Sequence, residues 1–261
     1  MPETSFVFPI RDLESARVRL MLFDPALHAQ EFVNRSKAHP ELFKYLPYGS
    51  FNTAEEFAST FYEKRVSEEP GNVLFAILDK TSEHRVSILG VPEKEKTRKD
   101  NLISMCADSN DSLRLAGVIG LLNTSVINQC TEIGYITIFP EYQRTHVTTN
   151  AVGLLLHYCL ELPNSTKSKY GPGLGLRRVQ WQTHGDNAAS LRAAERMGFR
   201  REGLIRWQRA LPEGKDGMTV SPEREALCKN PGRHTWILAV CWDDWELEGT
   251  RGFVQERMER I

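Results

Sequence analysis

The sequence predicts an α+β fold, with a central, mixed but mostly antiparallel sheet of about seven strands flanked by helices. Three observations carry this expectation. Short runs with strand periodicity recur along the chain, and helical-period segments fall between them without strict alternation. Two consecutive strand runs are also joined by a link too short for a crossover helix, which makes them antiparallel neighbours.

Each element has a local reason. "ARVRLMLF" (16–23) alternates well enough for a first strand. The stretch from Asp24 carries apolar residues at helical spacing, with Asp24 as cap and Pro25 in the first turn. "TAEEFASTFYEKRVSEE" (53–69) opens with Thr53 and has Glu56 three residues on, a capping-box pattern. "NVLFAILD" (72–79) reads as a buried strand. Residues 80 to about 112 turn polar with charges of mixed sign, "EKEKTRKD" among them, and read as a solvated insertion. "LRLAGVIGLLNTS" (113–125) and "TEIGYITIF" (131–139) are the adjacent pair. A helix over "TNAVGLLLHYCLEL" and a strand over 176–184 follow. "NAASLRAAERMGF" is a helix closed by Gly198 as a left-handed cap. Residues 200–211 form a strand, 212–232 a loop, and 234–245 a last strand turning into a terminal helix. No repeat and no linker interrupts the chain, so 1–261 reads as one domain.

Bulk properties narrow the function. The 261 residues hold 26% charged and 41% apolar side chains, with a formal net charge of −1. This excludes a general electrostatic pull toward nucleic acid or an anionic membrane. The longest apolar run, "VGLLL", is too short to span a bilayer, and the start shows no basic segment leading into an apolar one. Cys106, Cys130, Cys159, Cys228 and Cys241 are scattered and odd in number, without zinc-type spacing. The expectation is a reduced, cytoplasmic protein with no metal, acting as a monomer or homodimer.

Two junctions carry the chemistry. "PEYQRTHVTTNA" (140–151) leaves a strand and enters an apolar helix, which aims free N–H groups and the positive end of a helix dipole at one point. It has no glycine. Arg144, Thr145, His146, Thr148 and Thr149 bring charge and hydroxyls in its place. About forty residues on, "GDNAASLRAAERMGFRREG" sets Asn187 and Ser190 one turn apart at a helix start. The order of elements, "N-x-x-S", "GF" and "EG" together resemble the GNAT superfamily of acyl-coenzyme A N-acyltransferases. "HPELFKYLPYGSF", "EIGYITIFPEYQRTHVTTNAVGLLL" and "HTWILAVCWDDW" resemble its RimJ/RimL-type branch. The likeness runs from about 16 to 245.

That resemblance implies acetyl-CoA as cosubstrate and direct transfer to a primary amine, on a small molecule or a protein N-terminus. It implies a cofactor site at Ile136, Ile138, Phe139, Gln143, Arg144, Thr145, His146, Val147, Thr148, Thr149 and Asn187. Gln143 opens the family's phosphate motif, while His146 and Thr148 stand where it has small residues. Ser190 becomes the candidate proton donor to the leaving thiolate, because Ala194 stands where many members carry a tyrosine, and Asn187 joins it among the catalytic candidates as the residue that contacts the pantetheine or orders the site. Glu132, before "IGY", is the candidate base and His184 its rival. Trp181, Arg206 and Arg233 fall on the acceptor side, Trp181 mainly as core. His146, Ala194 and Asn150 depart from the family pattern. They leave a second reading, a non-catalytic acyl-CoA-binding or scaffold protein on the same fold.

Overall fold

The computed structural model describes residues 5–81, 113–166 and 168–260. The polar insertion from residue 82 and Cys106 lie outside them. Eight strands form one sheet, in the order β1-β2-β3-β4-β5-β6-β8-β7. They are β1 (Leu13–Glu14), β2 (Val18–Leu22), β3 (Val73–Asp79), β4 (Arg114–Ser125), β5 (Cys130–Ile138), β6 (Arg178–His184), β7 (Arg200–Ala210) and β8 (Gly232–Cys241). The α+β expectation holds. The additional strand is β1, two residues long and too short to leave a period in the sequence.

All neighbours are antiparallel except β5 and β6. That parallel pair runs only from Cys130↔Arg178 to Ile133↔Trp181, after which the two strands separate. On β5, Tyr135 takes a positive φ of 53° in the same stretch where the register with β4 shifts, so a bulge turns the strand there. The free edge of β5 beyond Ile133 opens the wedge that forms the cleft.

Helices cover both faces. On one lie α1 (Pro25–Lys37) and α2 (Ala54–Phe57), which runs on as a π-helix over Ala58–Ser67. On the other, α3 (His146–Leu160) packs against the sheet and the last helix packs against α3. α4 (Ala188–Arg196) follows β6, α5 (Pro222–Glu225) sits in the loop before β8, and α6 (Trp242–Glu246) and α7 (Thr250–Glu259) follow it. Every residue of β3 is buried, and its alternation feeds two cores. Val73, Phe75 and Ile77 join the layer under α3, whereas Leu74, Ala76 and Leu78 join the phenylalanine-rich layer of Phe23, Phe32, Phe57 and Phe61.

The caps follow the expected chemistry, with one change. Asp24 Oδ1 accepts from the Ala26 N–H at 2.9 Å, and Pro25 is the first residue of α1. Thr53 Oγ1 accepts from the Glu56 N–H, but Glu56 reaches back to the N–H of Asn52 rather than to that of Thr53. Gly198 closes α4 at φ 86°. The larger difference concerns α3, which begins at His146 with Thr145 as its cap, three residues before the expected start. Helical spacing of apolar residues begins only at Val147, and the polar first turn carries no helical period in the sequence.

Candidate active site

The strand separation creates a cleft of about 1390 Å³. Its walls come from the free edge of β5, the start of α3, the inward face of α4, the end of β6, and β7 and β8 beyond it. At one end, the β5–α3 junction is built around a left-handed residue. Gln143 is extended (φ −68°, ψ 146°) and its side-chain amide donates to Ile138 O at 3.0 Å. Arg144 then takes φ 60°, and Thr145 caps the helix by accepting from the Val147 N–H at 3.3 Å while donating to Tyr142 O. The other N–H groups of the first turn of α3 have no acceptor within the helix and head toward the cleft.

The glycine-free loop therefore has a structural explanation. Its one left-handed position is Arg144, whereas His146 and Thr148 lie in helical conformation and need no glycine. The His146 side chain turns out of the cleft, its Nε2 3.0 Å from Oδ1 of the buried Asp79. Arg192 and Arg196, one turn apart on α4, line the cleft with Arg144, and among the described residues none of the three has an ion pair. Free N–H groups, a helix dipole and three unpaired guanidiniums fit the diphosphate and ribose phosphate of coenzyme A. The free backbone edge of β5 at Ile136 and Ile138 is a fitting rail for an amide-bearing arm.

In the middle of the cleft, Asn187 caps α4 by accepting from the Ser190 N–H at 3.0 Å. Trp181 Nε1 donates to Ser190 Oγ at 2.9 Å. A serine hydroxyl has one proton and two lone pairs, so this contact leaves its proton free for the cleft. Trp181 is both core and lining, its ring edge-on to Phe199. Ala194 is fully buried and supplies no acid.

At the far end sits Glu132, 5% exposed, accepting from Asn123 Nδ2 at 3.2 Å. Burial pushes its carboxyl up to about 7, opposed by the Asn123 hydrogen bond and by Arg209 and Arg233. His184 also lines the cleft, but its Nδ1 accepts from the Asp186 N–H at 3.1 Å. That contact places the ring proton on Nε2 and makes the neutral imidazole a donor toward the cleft. Burial and Arg233 hold its pKa below the ordinary value. A ring so held is a poor base, which leaves Glu132 as the carboxylate of choice. Tyr135 already donates its hydroxyl proton to Arg65 O at 3.0 Å, and burial pushes its pKa up to about 12.

Most of the expected residues meet here: Glu132, Ile136, Ile138, Gln143, Arg144, Thr145, Thr148, Thr149, Trp181, Asn187, Ser190 and Arg233 all line the cleft. Four side chains do not. Phe139 is buried on the opposite face against Phe32 and Arg35, Val147 points into the core, and His146 faces Asp79. Arg206 is exposed on β7, ahead of a register shift between Ile205 and Arg209 where Trp207 takes φ 56°. That shift brings Arg209, not Arg206, to the cleft. Arg192, Arg196 and Arg209 were missed by sequence reasoning. The i, i+4 spacing of the first two was a usable signal, while a bulge leaves none. Outside the cleft, Cys241, Asp243 and Asp244 form a metal-type grouping among the described residues, but Asp244 already accepts from the Cys241 N–H and pairs with Arg200.

Comparison with known proteins agrees with this geometry. A family model described as an acetyltransferase (GNAT) domain matches residues 17–200. A GCN5-related N-acetyltransferase from Brucella melitensis is similar at 24% identity and TM-score 0.66, covering 95% of this chain and 85% of its own. A GNAT-family acetyltransferase from Bacillus anthracis has 17% identity and TM-score 0.55, covering 89% and 99%. Spermidine N-acetyltransferase from Vibrio cholerae, solved with CoA and spermine, has 12% identity and TM-score 0.55, covering 88% and 99%. At these identities the likeness is one of fold. No curated protein matches the chain.

Proposed function

The chain belongs to the GNAT acetyltransferase family, and from that premise we propose that it moves the acetyl group of acetyl-CoA directly to a primary amine in a ternary complex. The observation that carries this is that a buried carboxylate near neutral pKa, Glu132, and a serine with an uncommitted proton, Ser190, open into one cleft.

Acetyl-CoA supplies an activated thioester carbonyl. The start of α3 with Arg144, Arg192 and Arg196 holds its phosphates, and the free edge of β5 holds its arm. Glu132 takes a proton from the acceptor ammonium and so exposes the nucleophilic lone pair. The nitrogen bonds to the carbonyl carbon, the C–S bond breaks, and Ser190, oriented by Trp181 and Asn187, gives its proton to the departing sulfur and regains one from the nitrogen as the amide forms. The whole chain acts as one domain around this cleft. The motifs shared with the RimJ/RimL-type branch support an amine acceptor, and the near-neutral net charge gives no extended basic groove for a ribosomal partner, which favours a small molecule over a protein N-terminus.

Thermal unfolding with and without millimolar acetyl-CoA tests the reading, followed by thiol release with amine acceptors. Acetyl-CoA at about 100 times its dissociation constant adds roughly 2.7 kcal/mol of stability, a shift of several degrees. Ser190→Ala is expected to keep that shift and lose about 10- to 100-fold in kcat. A shift with no turnover for any amine would favour the non-catalytic binder.

A further inference from the structure

The acceptor end of the cleft carries more positive charge than the proposed reaction uses. Arg209 on β7 and Arg233 on β8 are direct partners in the antiparallel register, so both side chains stand on one face of the sheet. Both line the cleft, and burial together with the neighbouring Arg209 disfavours the charge of Arg233. Like charges opposite one another across strands destabilise a sheet unless something neutralises them. Glu132 is the carboxylate that faces them, and its own burial leaves it only partly ionised at neutral pH.

Arg233 is 6% exposed, and among the described residues its side chain has no hydrogen bond or ion pair; its Nε is buried without a partner. On the neighbouring strand β6, in the same cleft wall, His184 is 4% exposed and its Nε2, the ring's proton-bearing nitrogen, is buried and unpartnered too. Thr235 lies two residues beyond Arg233 on the same face of β8, opposite His184 in register, and its hydroxyl is also buried without a partner. A buried donor left unpaired costs stability, and three of them together mark a place built for an acceptor-rich group.

Resting on the acetyltransferase reading, we propose that Arg233, Arg209 and His184 bind an anionic group of the acceptor, so that the substrate is a small primary amine that also bears a carboxylate or a phosphate ester. The anion would occupy the β7–β8 side while the amine faces Glu132. A guanidinium fork suits either anion, and the neutral imidazole adds one N–H donor. This arrangement disfavours polyamines, whose second ammonium would meet Arg209 and Arg233.

The test uses the full chain with acetyl-CoA and matched acceptors. Amino acids are compared with their amides, and phosphoethanolamine with ethanolamine, by thiol release and by calorimetric binding to the CoA-saturated protein. The expected result is that anion-bearing members have kcat/KM at least tenfold above their neutral partners. That preference is expected to collapse in Arg233→Gln and to shrink in Arg209→Gln, the exposed position, with the acetyl-CoA thermal shift retained. A preference confined to amino acids identifies a carboxylate site, and one confined to phosphoethanolamine a phosphate site. Amides or ethanolamine performing equally well would overturn the proposal. So would a preference that survives both substitutions, or an acetyl-CoA-binding protein that neither binds nor acetylates any anionic amine. Absence of any acetyl-CoA shift would instead sink the underlying reading, and the proposal with it.

Discussion

Glu132 is where a single residue has most influence over the whole activity. A carboxyl held near 7 by burial is half ionised at neutral pH, so a base at this position makes kcat/KM rise with pH through about 7. Glu132→Gln is expected to lower kcat by about 10²- to 10⁴-fold and to flatten that limb of the profile, checked by thiol release from pH 5.5 to 9. The same shift acts on stability. Because the folded-state pKa lies above its ordinary value of 4.5, this group favours the folded state fully below 4.5, and that advantage is lost as pH rises through about 7. Glu132→Gln removes this loss, so the variant is expected to gain stability relative to the parent at pH 8, measured by chemical denaturation. The sequence offered Glu132 as a strand-end acid beside "IGY". Its burial depends on β4, β7 and β8 closing over it, and no local pattern encodes that.

His146 and Arg144 divide the labour that glycine does in other phosphate loops. His146→Gly removes a partner of the buried Asp79 and puts glycine in a helical turn, for an expected loss of about 1–2 kcal/mol. Acetyl-CoA affinity is expected to stay within about twofold, read by calorimetry. Arg144→Gly relieves a left-handed side chain, a strain of about 1 kcal/mol, so its Tm is expected to hold or rise. Its affinity for acetyl-CoA is expected to fall several-fold because a guanidinium is lost. A tighter complex in His146→Gly would contradict this division.

Among the elements, α3 joins the cleft to the back of the molecule. Its first turn faces the cleft, and its last turn holds a buried cluster around Glu161. That carboxylate lies 2.7 Å from Arg251 Nε and 3.4 Å from His157 Nδ1, and Trp245 Nε1 donates to it at 3.3 Å. The cluster fastens α3 to α6 and α7. Glu161→Gln leaves Arg251 without its counter-charge and is expected to cost about 3 kcal/mol, which Tm measurements read as a fall on the order of 5–10 °C. Burial holds His157 below its ordinary pKa of 6.5. Its neutral form therefore favours folding at higher pH, and acid erodes that contribution as pH drops below 6.5. At this scale much was legible: the caps at Asp24, Thr53 and Gly198 are signalled within four residues. The start of α3 was not, because its polar first turn looks like loop until the structure supplies a cap at Thr145. The bulge at Trp207 was equally silent, since it arises from how β7 meets β8.

For the molecule as a whole, the sequence conveyed the number of layers and all but one strand, because each strand carries its own apolar pattern. β3 shows how far that reaches: seven buried residues in a row announce a central strand with a core on either side. What the pattern does not convey is neighbourhood. β8 is last in the chain yet lies between β6 and β7, and no periodicity within 232–241 specifies this. Among the described residues no helix is long and apolar enough to cross a membrane.

That inserted strand has a consequence for how the protein is made. Until residues 232–241 leave the ribosome, β6 has no second neighbour and β7 has none at all, since each pairs with β8 on that side. The wall bearing Arg209 and Arg233 cannot exist before then, so a nascent chain can assemble the half-sheet from β1 to β5 while its acceptor side is still unbuilt. Ribosome-bound chains stalled before residue 232 would be inactive through topology alone, and the waiting β6 edge would be the surface for a chaperone to shield.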